Sequence, residues 1–348
     1  MMSPALKIGV LLVQLGTPDS TRVGDVRRYL DQFLSDGRVL DMPAPFRWLL
    51  LKTVILPFRP RRSAKAYEKI WTERGSPLLF HSEDLAEKVA DRLGGSYVVE
   101  VGMRYQNPSI SSAVERLMEG GADRIVAVPL FPQYASAASG SASAEVHRVI
   151  SERYNLPELT VVGDFFADPG FTSASSEIAK PLLDEFGADH VLFSYHGTPE
   201  SQIRKGHESG DCLTAGCSDR ITVVNRFCYR AQCHATTRAL GEQLGLDEDT
   251  YSTSFQSRLA PKKWIEPYTD HVLPELHQAG VRRLAVMTPS FTIDCLETIE
   301  EIGMRGRQQW TDLGGDDLLL VPCVNSQPTW ADAVADMVRA RVVAPSMQ

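Results

Sequence analysis

The sequence predicts an α/β protein made of two similar doubly wound, Rossmann-like halves, each a four-stranded parallel sheet flanked by helices. Three observations carry this prediction. Eight short β-branched runs alternate with longer stretches whose apolar residues recur at three- and four-residue spacing. The runs are near-continuously apolar rather than alternating, as strands covered on both faces require. The 348 residues suffice for two domains at roughly 100 to 200 residues each.

In chain order the predicted strands are 8–15, 97–101, 124–130, 159–162, 190–194, 250–255, 283–288 and 318–321. Helical patterns at 82–93, 110–120, 227–244 and 270–279 end near glycine, a common helix stop. A last helix is expected over 330–342. The Asp168-Pro169-Gly170 turn separates four strands from four, which predicts domains at 1–167 and 168–328. The chain from 329 to 348 is expected to pack back on the first. No long repeat and no low-complexity segment is visible.

Composition narrows the function. With 36 Lys+Arg against 44 Asp+Glu the net charge is −8, which argues against a nucleic-acid partner, since phosphate binding needs a clustered basic surface. The apolar start at 6–13 has no basic lead and no cleavage site, so it reads as a strand. The run 48–58 is interrupted by Lys52, Thr53 and Pro57, far short of the ~20 residues a bilayer span needs. A cytoplasmic location is expected, and there the six cysteines do not read as disulfides. No G-x-G-x-x-G follows a strand, and Pro18 removes a donor where Gly16-Thr17-Pro18 would have to cradle a phosphate. A dinucleotide dehydrogenase is therefore disfavoured.

Open α/β sheets bind ligands at the carboxyl ends of their strands, and the unusual side chains cluster there. His196 leaves a strand into Gly197-Thr198-Pro199, where imidazole suits proton transfer or metal binding; a strand-end histidine bonded to a carbonyl is the plain alternative. Asp294, Glu297 and Glu301 open a predicted helix. At about 100° per residue they share a sector of roughly 60°, so three carboxylates would crowd one face and raise one another's proton affinity. Helix capping by Asp294 and Glu297 would use the same residues.

Cys212, Cys217, Cys228 and Cys233 follow the spacing C-x4-C-x10-C-x4-C in a polar segment at 206–233. Four thiolates this close permit zinc or an iron–sulfur cluster, with [2Fe-2S] the favoured reading and plain thiols the alternative. Residues 42–62 combine apolar and basic character. They read either as a lip for a flat apolar ligand or an anionic membrane surface, or as a core helix followed by a solvated basic loop.

Eight motifs in order, over nearly the whole chain, are similar to those of the ferrochelatases of the Gram-negative protoporphyrin branch. They are Gln14-Leu-Gly-Thr-Pro18, Tyr67-x7-Gly75-Ser-Pro77, Met103-Arg-Tyr105, Pro129-Leu-Phe-Pro-Gln-Tyr134, Ser194-Tyr-His-Gly-Thr-Pro199, Ser254-Phe-Gln-Ser-Arg258, Trp264-x2-Pro267-Tyr-Thr-Asp270 and Asp294-Cys-Leu-Glu-Thr-Ile-Glu-Glu301. The resemblance implies a chelatase-type fold and insertion of substrate Fe2+ into protoporphyrin IX to give protoheme. It implies His196 and Glu297 as the catalytic pair and iron contacts, with Asp294 and Glu301 as a relay. Leu15, Arg59, Tyr67, Ser76, Arg104, Tyr134 and Phe291 are implied as porphyrin contacts. The cysteine segment resembles the internal insertion of those bacterial members that hold a [2Fe-2S] cluster on Cys212, Cys217, Cys228 and Cys233. A monomer is expected, with peripheral contact to the inner face of the cytoplasmic membrane through 42–62.

Metallation supports the same residues on chemical grounds. Two weakly acidic pyrrole protons must leave and a planar ring must bend, so a base, an acidic path and an apolar slot are needed. The slot is expected at facing strand ends of the two halves. Coproporphyrin or cobalt chelation is the nearest competing reading, and a noncatalytic Fe–S heme carrier or sensor is the competing class.

Overall fold

The computed structural model describes residues 7–207, 213–214, 216–259 and 262–342. All eight predicted strands are present: β1 (Lys7–Gly16), β2 (Tyr97–Tyr105), β3 (Ala122–Pro129), β4 (Glu158–Val161), β5 (His190–His196), β6 (Tyr251–Gln256), β7 (Arg283–Met287) and β8 (Asp317–Leu320). They form two four-stranded sheets, ordered β2-β1-β3-β4 and β6-β5-β7-β8. Every ladder is parallel. The α/β expectation, with helices as crossovers between parallel strands, is met.

The described residues divide into two compact units. One holds β1 to β4 and the chain from 325; the other holds 132–134 and the chain from 165 to 324. In the first, Leu11 and Val13 of β1 pack with Ile125 and Ala127 of β3. Over them lie Ile110, Val114 and Leu117 of the Ile110–Glu119 helix and Val146, Val149 and Ile150 of the Ser141–Ser151 helix. On the other side the Pro77–Leu93 helix lies along β1 and β2, and the terminal Pro328–Val342 helix packs on it. An Arg92–Asp332 ion pair and a Lys88 bond to Ser326 hold that helix pair. In the second unit Leu192, Leu284, Val286 and Leu318 from three strands pack under Val272, Leu273, Ile302 and fully buried Trp310. The Trp310 indole N–H is satisfied by the Arg282 carbonyl at 3.0 Å.

The units repeat each other in ways the sequence does not display. In each, the chain's first strand is central, its second strand lies on one side and its third on the other. Each second strand is followed by a residue with positive φ, Gln106 at 67° and Ser257 at 66°, and then by a cis proline, Pro108 or Pro267. The carbonyl of each of those prolines accepts from the strand it has just left, at Met103 and Phe255.

Several helices differ from the sequence expectation. Asp168-Pro169-Gly170 is a helix start: the Asp168 carboxylate accepts from the Gly170 and Phe171 N–H groups at 2.9 and 3.2 Å and caps Pro169–Phe186. Between residues 44 and 70 the chain is continuously helical, α over Ala44–Leu50, π over Leu51–Ile55 and α again over Leu56–Ile70. The basic loop offered as an alternative is therefore absent. Pro57 and Pro60 hid this helix, since proline ordinarily marks a break. Ser141–Ser151 was hidden because its buried face includes Ser141 and Ala142, which carry little hydrophobic signal.

Candidate active site

The second sheet positions the histidine. Strand β5 stays paired with β6 out to His196↔Gln256, but its pairing with β7 stops at Phe193↔Met287. The two strands part where the order switches, the place where α/β sheets open a crevice at their carboxyl ends. His196 is the last residue of β5 and is half-buried there, with Trp264 and Phe291 each 6.2 Å away between ring centroids. Its Nδ1 lies 2.7 Å from the Gly197 carbonyl oxygen. A carbonyl only accepts, so Nδ1 carries the proton, and in the neutral ring the free lone pair is on Nε2. Glycine is required next: a Cβ at Gly197 would sit 2.8 Å from the Gln256 carbonyl and 3.0 Å from Trp264.

The acidic residues arrive differently from the expectation. Glu297–Gly306 is π-helical, and Asp294 precedes it. The predicted single face of Asp294, Glu297 and Glu301 rested on α-helical spacing and does not form. Asp294 is buried, accepting from the Thr298 hydroxyl at 3.0 Å and the Cys323 N–H at 3.3 Å. Glu301 turns toward β6, where its carboxylate accepts from the Ser257 N–H at 2.9 Å and the Ser257 hydroxyl at 2.6 Å. That bond holds Ser257 in its left-handed conformation, and strained backbone of this kind collects at functional sites. Burial pushes the Glu301 carboxyl above its ordinary pKa and Glu297 adds to the rise, while Ser257 and the nearby His196 oppose it. The Glu301 carboxylate is therefore within electrostatic reach of both His196 and Glu297.

Glu297 is anchored through its backbone. Gln256 Nε2 donates to the Glu297 carbonyl at 2.8 Å, and fully buried Ser194 donates to Gln256 Oε1 at 2.8 Å. One buried amide thus ties the strand of the histidine to the helix of the glutamate. The sequence reading placed Gln256 and Ser257 in a motif but gave them no role. Their position directly after β6 was the available signal.

In the first unit Gly16 ends β1 with φ of 116°, and a Cβ there would lie 2.0 Å from the Tyr105 carbonyl, so only glycine fits. Leu15 is half-buried beside it. Buried Ser76 accepts from Thr17 at 2.8 Å, and buried Tyr67 packs edge-on against Tyr29 and Trp71. Arg59 is half-buried on the 56–70 helix. Arg104, expected as a porphyrin contact, donates to Asp36 at 2.9 Å and Ser141 at 2.8 Å and lies over the Tyr105 ring. Tyr134 groups with the second unit, its N–H on Gln232 at 2.6 Å and its ring edge-on to Phe227.

Of the four cysteines expected to share a site, Cys212 lies outside the described residues. Cys228 immediately precedes the Tyr229–Leu244 helix, and burial pushes its thiol above the ordinary pKa. Cys217 takes a contact from Arg230 at 3.8 Å, and Cys228 is electrostatically coupled to both Cys217 and buried Cys233. The Arg230 guanidinium beside these sulfurs suits thiolate ligands, while burial works against thiolate at Cys228 and Cys233. Among the described residues, however, no three His, Cys, Asp or Glu side chains form a group able to hold a metal ion.

The chain is similar to known proteins over nearly its whole length. The ferrochelatase family model matches residues 7–342. A ferrochelatase of Coxiella burnetii (strain Dugway 5J108-111) is 46% identical over 334 residues, 96% of this chain and 93% of its own. One from Legionella pneumophila (strain Corby) is 43% identical over 339 residues, 97% of this chain and all of its own. Among solved structures, the sirohydrochlorin chelatase SirB of Bacillus subtilis subspecies spizizenii, in complex with cobalt, aligns with a TM-score of 0.51 at 15% identity, covering 99% and 98% of the two chains. CbiX, described as the terminal enzyme of siroheme biosynthesis in denitrifying bacteria, aligns at 0.50 and 12%, covering 97% and 100%. These two share the fold. With a family match over residues 7–342 and relatives 43% and 46% identical over nearly the whole chain, the chain belongs to the ferrochelatase family.

Proposed function

We propose that this protein inserts Fe2+ into protoporphyrin IX, yielding protoheme and two protons, with His196 as the base. The observation that carries this reading is the Nδ1–Gly197 contact, which leaves the lone pair of the neutral ring on Nε2. Nε2 accepts a pyrrole proton as iron replaces it, and the ring then carries a charge that Glu301 and Glu297 stabilise. Burial makes the Glu301 carboxyl a better proton acceptor than an exposed glutamate, which suits it to take protons from the histidine and pass them outward. Trp264 and Phe291 give the histidine an apolar collar against which a macrocycle can lie.

The remaining assignments rest on the family resemblance. Leu15, Arg59, Tyr67, Ser76 and Phe291 are proposed as porphyrin contacts, while Tyr134 and Arg104 act by support: Arg104 already pairs with Asp36. Asp294, bonded to Thr298 and Cys323, is proposed to hold the helix start rather than iron. Cys217, Cys228 and Cys233, with Cys212, are proposed to hold a [2Fe-2S] cluster. Such a cluster supplies a one-electron centre and a cross-link, and insertion of Fe2+ itself is redox-neutral. We further propose that the chain acts as a monomer and touches an anionic membrane surface through 42–62, where Phe46, Trp48 and Phe58 are exposed.

Anaerobic incubation of the protein with Fe2+ and protoporphyrin IX, followed by absorbance, tests the reaction. Appearance of the heme spectrum at a rate proportional to enzyme is expected; no acceleration over the enzyme-free mixture would reject it. Parallel assays with coproporphyrin and with Co2+ test the competing substrates.

A further inference from the structure

The backbone of His196 is held in an unusual way. Its N–H and C=O lie beyond the point where β5 loses β7 as a partner, so the ladder no longer satisfies them. Side chains replace it. Ser290, on the loop after β7, accepts from the His196 N–H at 3.0 Å. Tyr229 donates its hydroxyl to the His196 carbonyl at 2.7 Å.

Tyr229 comes from the cysteine segment. It is the first residue of the Tyr229–Leu244 helix, directly after Cys228 and one helical turn before Cys233. The Tyr229 ring is buried, and its hydroxyl also interacts with the Cys233 thiol and the Ser290 hydroxyl. Any change in how Cys228 and Cys233 are held moves the first turn of this helix, and therefore the hydroxyl on which the His196 carbonyl hangs. Phenylalanine would fill the same space without making that bond, so packing alone does not account for tyrosine here.

We propose that Tyr229 is a positioning residue that transmits the state of the cysteine segment to His196 through its hydrogen bond to the His196 carbonyl. The inference rests on the reading of His196 as the base. It gives the cysteine segment a function that electron transfer would not: setting the place of the imidazole.

The test uses the full-length protein with 15N-labelled histidine, and reads the His196 ring resonances without porphyrin alongside kcat and KM for Fe2+ insertion. Y229F should shift those resonances and lower kcat about tenfold, the scale of one lost hydrogen bond, with KM for protoporphyrin IX changed less than twofold. C228S, which perturbs the segment and keeps Tyr229, should shift the same resonances in the Tyr229 chain and in an S290A background, but not in the Y229F background. An unmoved His196 spectrum in both Y229F and C228S, or an equal C228S shift with and without the Tyr229 hydroxyl, overturns the proposal. Should Y229F fail to fold, C228S alone decides: an unmoved spectrum overturns it and a shifted one supports it. H196A that keeps full turnover would instead reject the base assignment, leaving the spectral coupling to be judged separately.

Discussion

The imidazole Nδ1 of His196 and the carbonyl oxygen of Gly197 are 2.7 Å apart, a contact between neighbours in sequence that fixes which nitrogen can act as a base. H196A should lower kcat by roughly 10² to 10⁴, the usual worth of a positioned base, with porphyrin affinity little changed. G197A should also lower kcat, because its methyl would press on the Gln256 carbonyl and on Trp264. Stopped-flow metallation with porphyrin fluorescence titration measures both. An H196A enzyme with near-normal kcat would remove the assigned role.

Gln256 is the buried link between Ser194 and the Glu297 carbonyl. Q256A leaves both without their partner, so a loss of about 1–3 kcal/mol is expected in chemical denaturation. Activity should fall further than stability alone explains, since Glu297 loses its anchor. Q256E would keep the acceptor for Ser194 and lose the donor to Glu297. Activity that tracks only the folded fraction in both variants would show that the link is merely structural.

The parallel sheets were legible because strands covered on both faces announce themselves as unbroken apolar runs. His196 was legible because a histidine closing such a run is unusual. The acidic group was only half legible: Glu297 and Glu301 were found, but Asp294 was assigned to their face on α-helical spacing, which a π-helix does not obey. The pairing of Arg104 with Asp36 was not legible, because the two are distant in sequence and no local pattern reports a tertiary ion pair. Gln256 and Tyr229 act by bonding other residues' backbones, a role that residue type alone does not reveal.

Asp36 gathers hydrogen bonds from Ser141, Tyr105 and the Arg38 N–H beside its ion pair with Arg104. Burial works to raise its pKa, but these partners outweigh it and hold the carboxyl below its ordinary range. D36A should cost about 3 kcal/mol, near the lower end for removing one member of a buried pair. A depressed folded pKa contributes stability that is present above the unfolded value and lost as pH falls through the folded one. The wild-type advantage over D36A should therefore shrink in acid. Urea melts from neutral pH downward check this, and a constant difference would contradict it.

The exposed apolar side chains of the 44–70 helical run give a direct test of membrane contact. Phe46 is 67% exposed, Trp48 61% and Phe58 74%, large apolar side chains available to an apolar surface. The triple variant F46S/W48S/F58S should lose flotation with vesicles containing anionic lipid and keep its melting temperature, because none of the three is in the core. Equal flotation of variant and wild type would end the membrane assignment.

Glu301 gives the opposite pH signature to Asp36. Its folded pKa is raised, chiefly by burial, so the folded protein binds its proton more tightly than the unfolded chain does. Stability linked to this group is then full below the ordinary carboxylate pKa and is lost as pH rises through the folded value. E301Q keeps an acceptor for Ser257 and removes the charge. It should melt higher than wild type at pH 7 to 8, with the difference vanishing toward about pH 4. Its metallation rate should fall and lose the limb of the pH profile that belongs to this carboxyl. A thermal shift independent of pH would mean that burial of the charge at Glu301 is not what the substitution relieves.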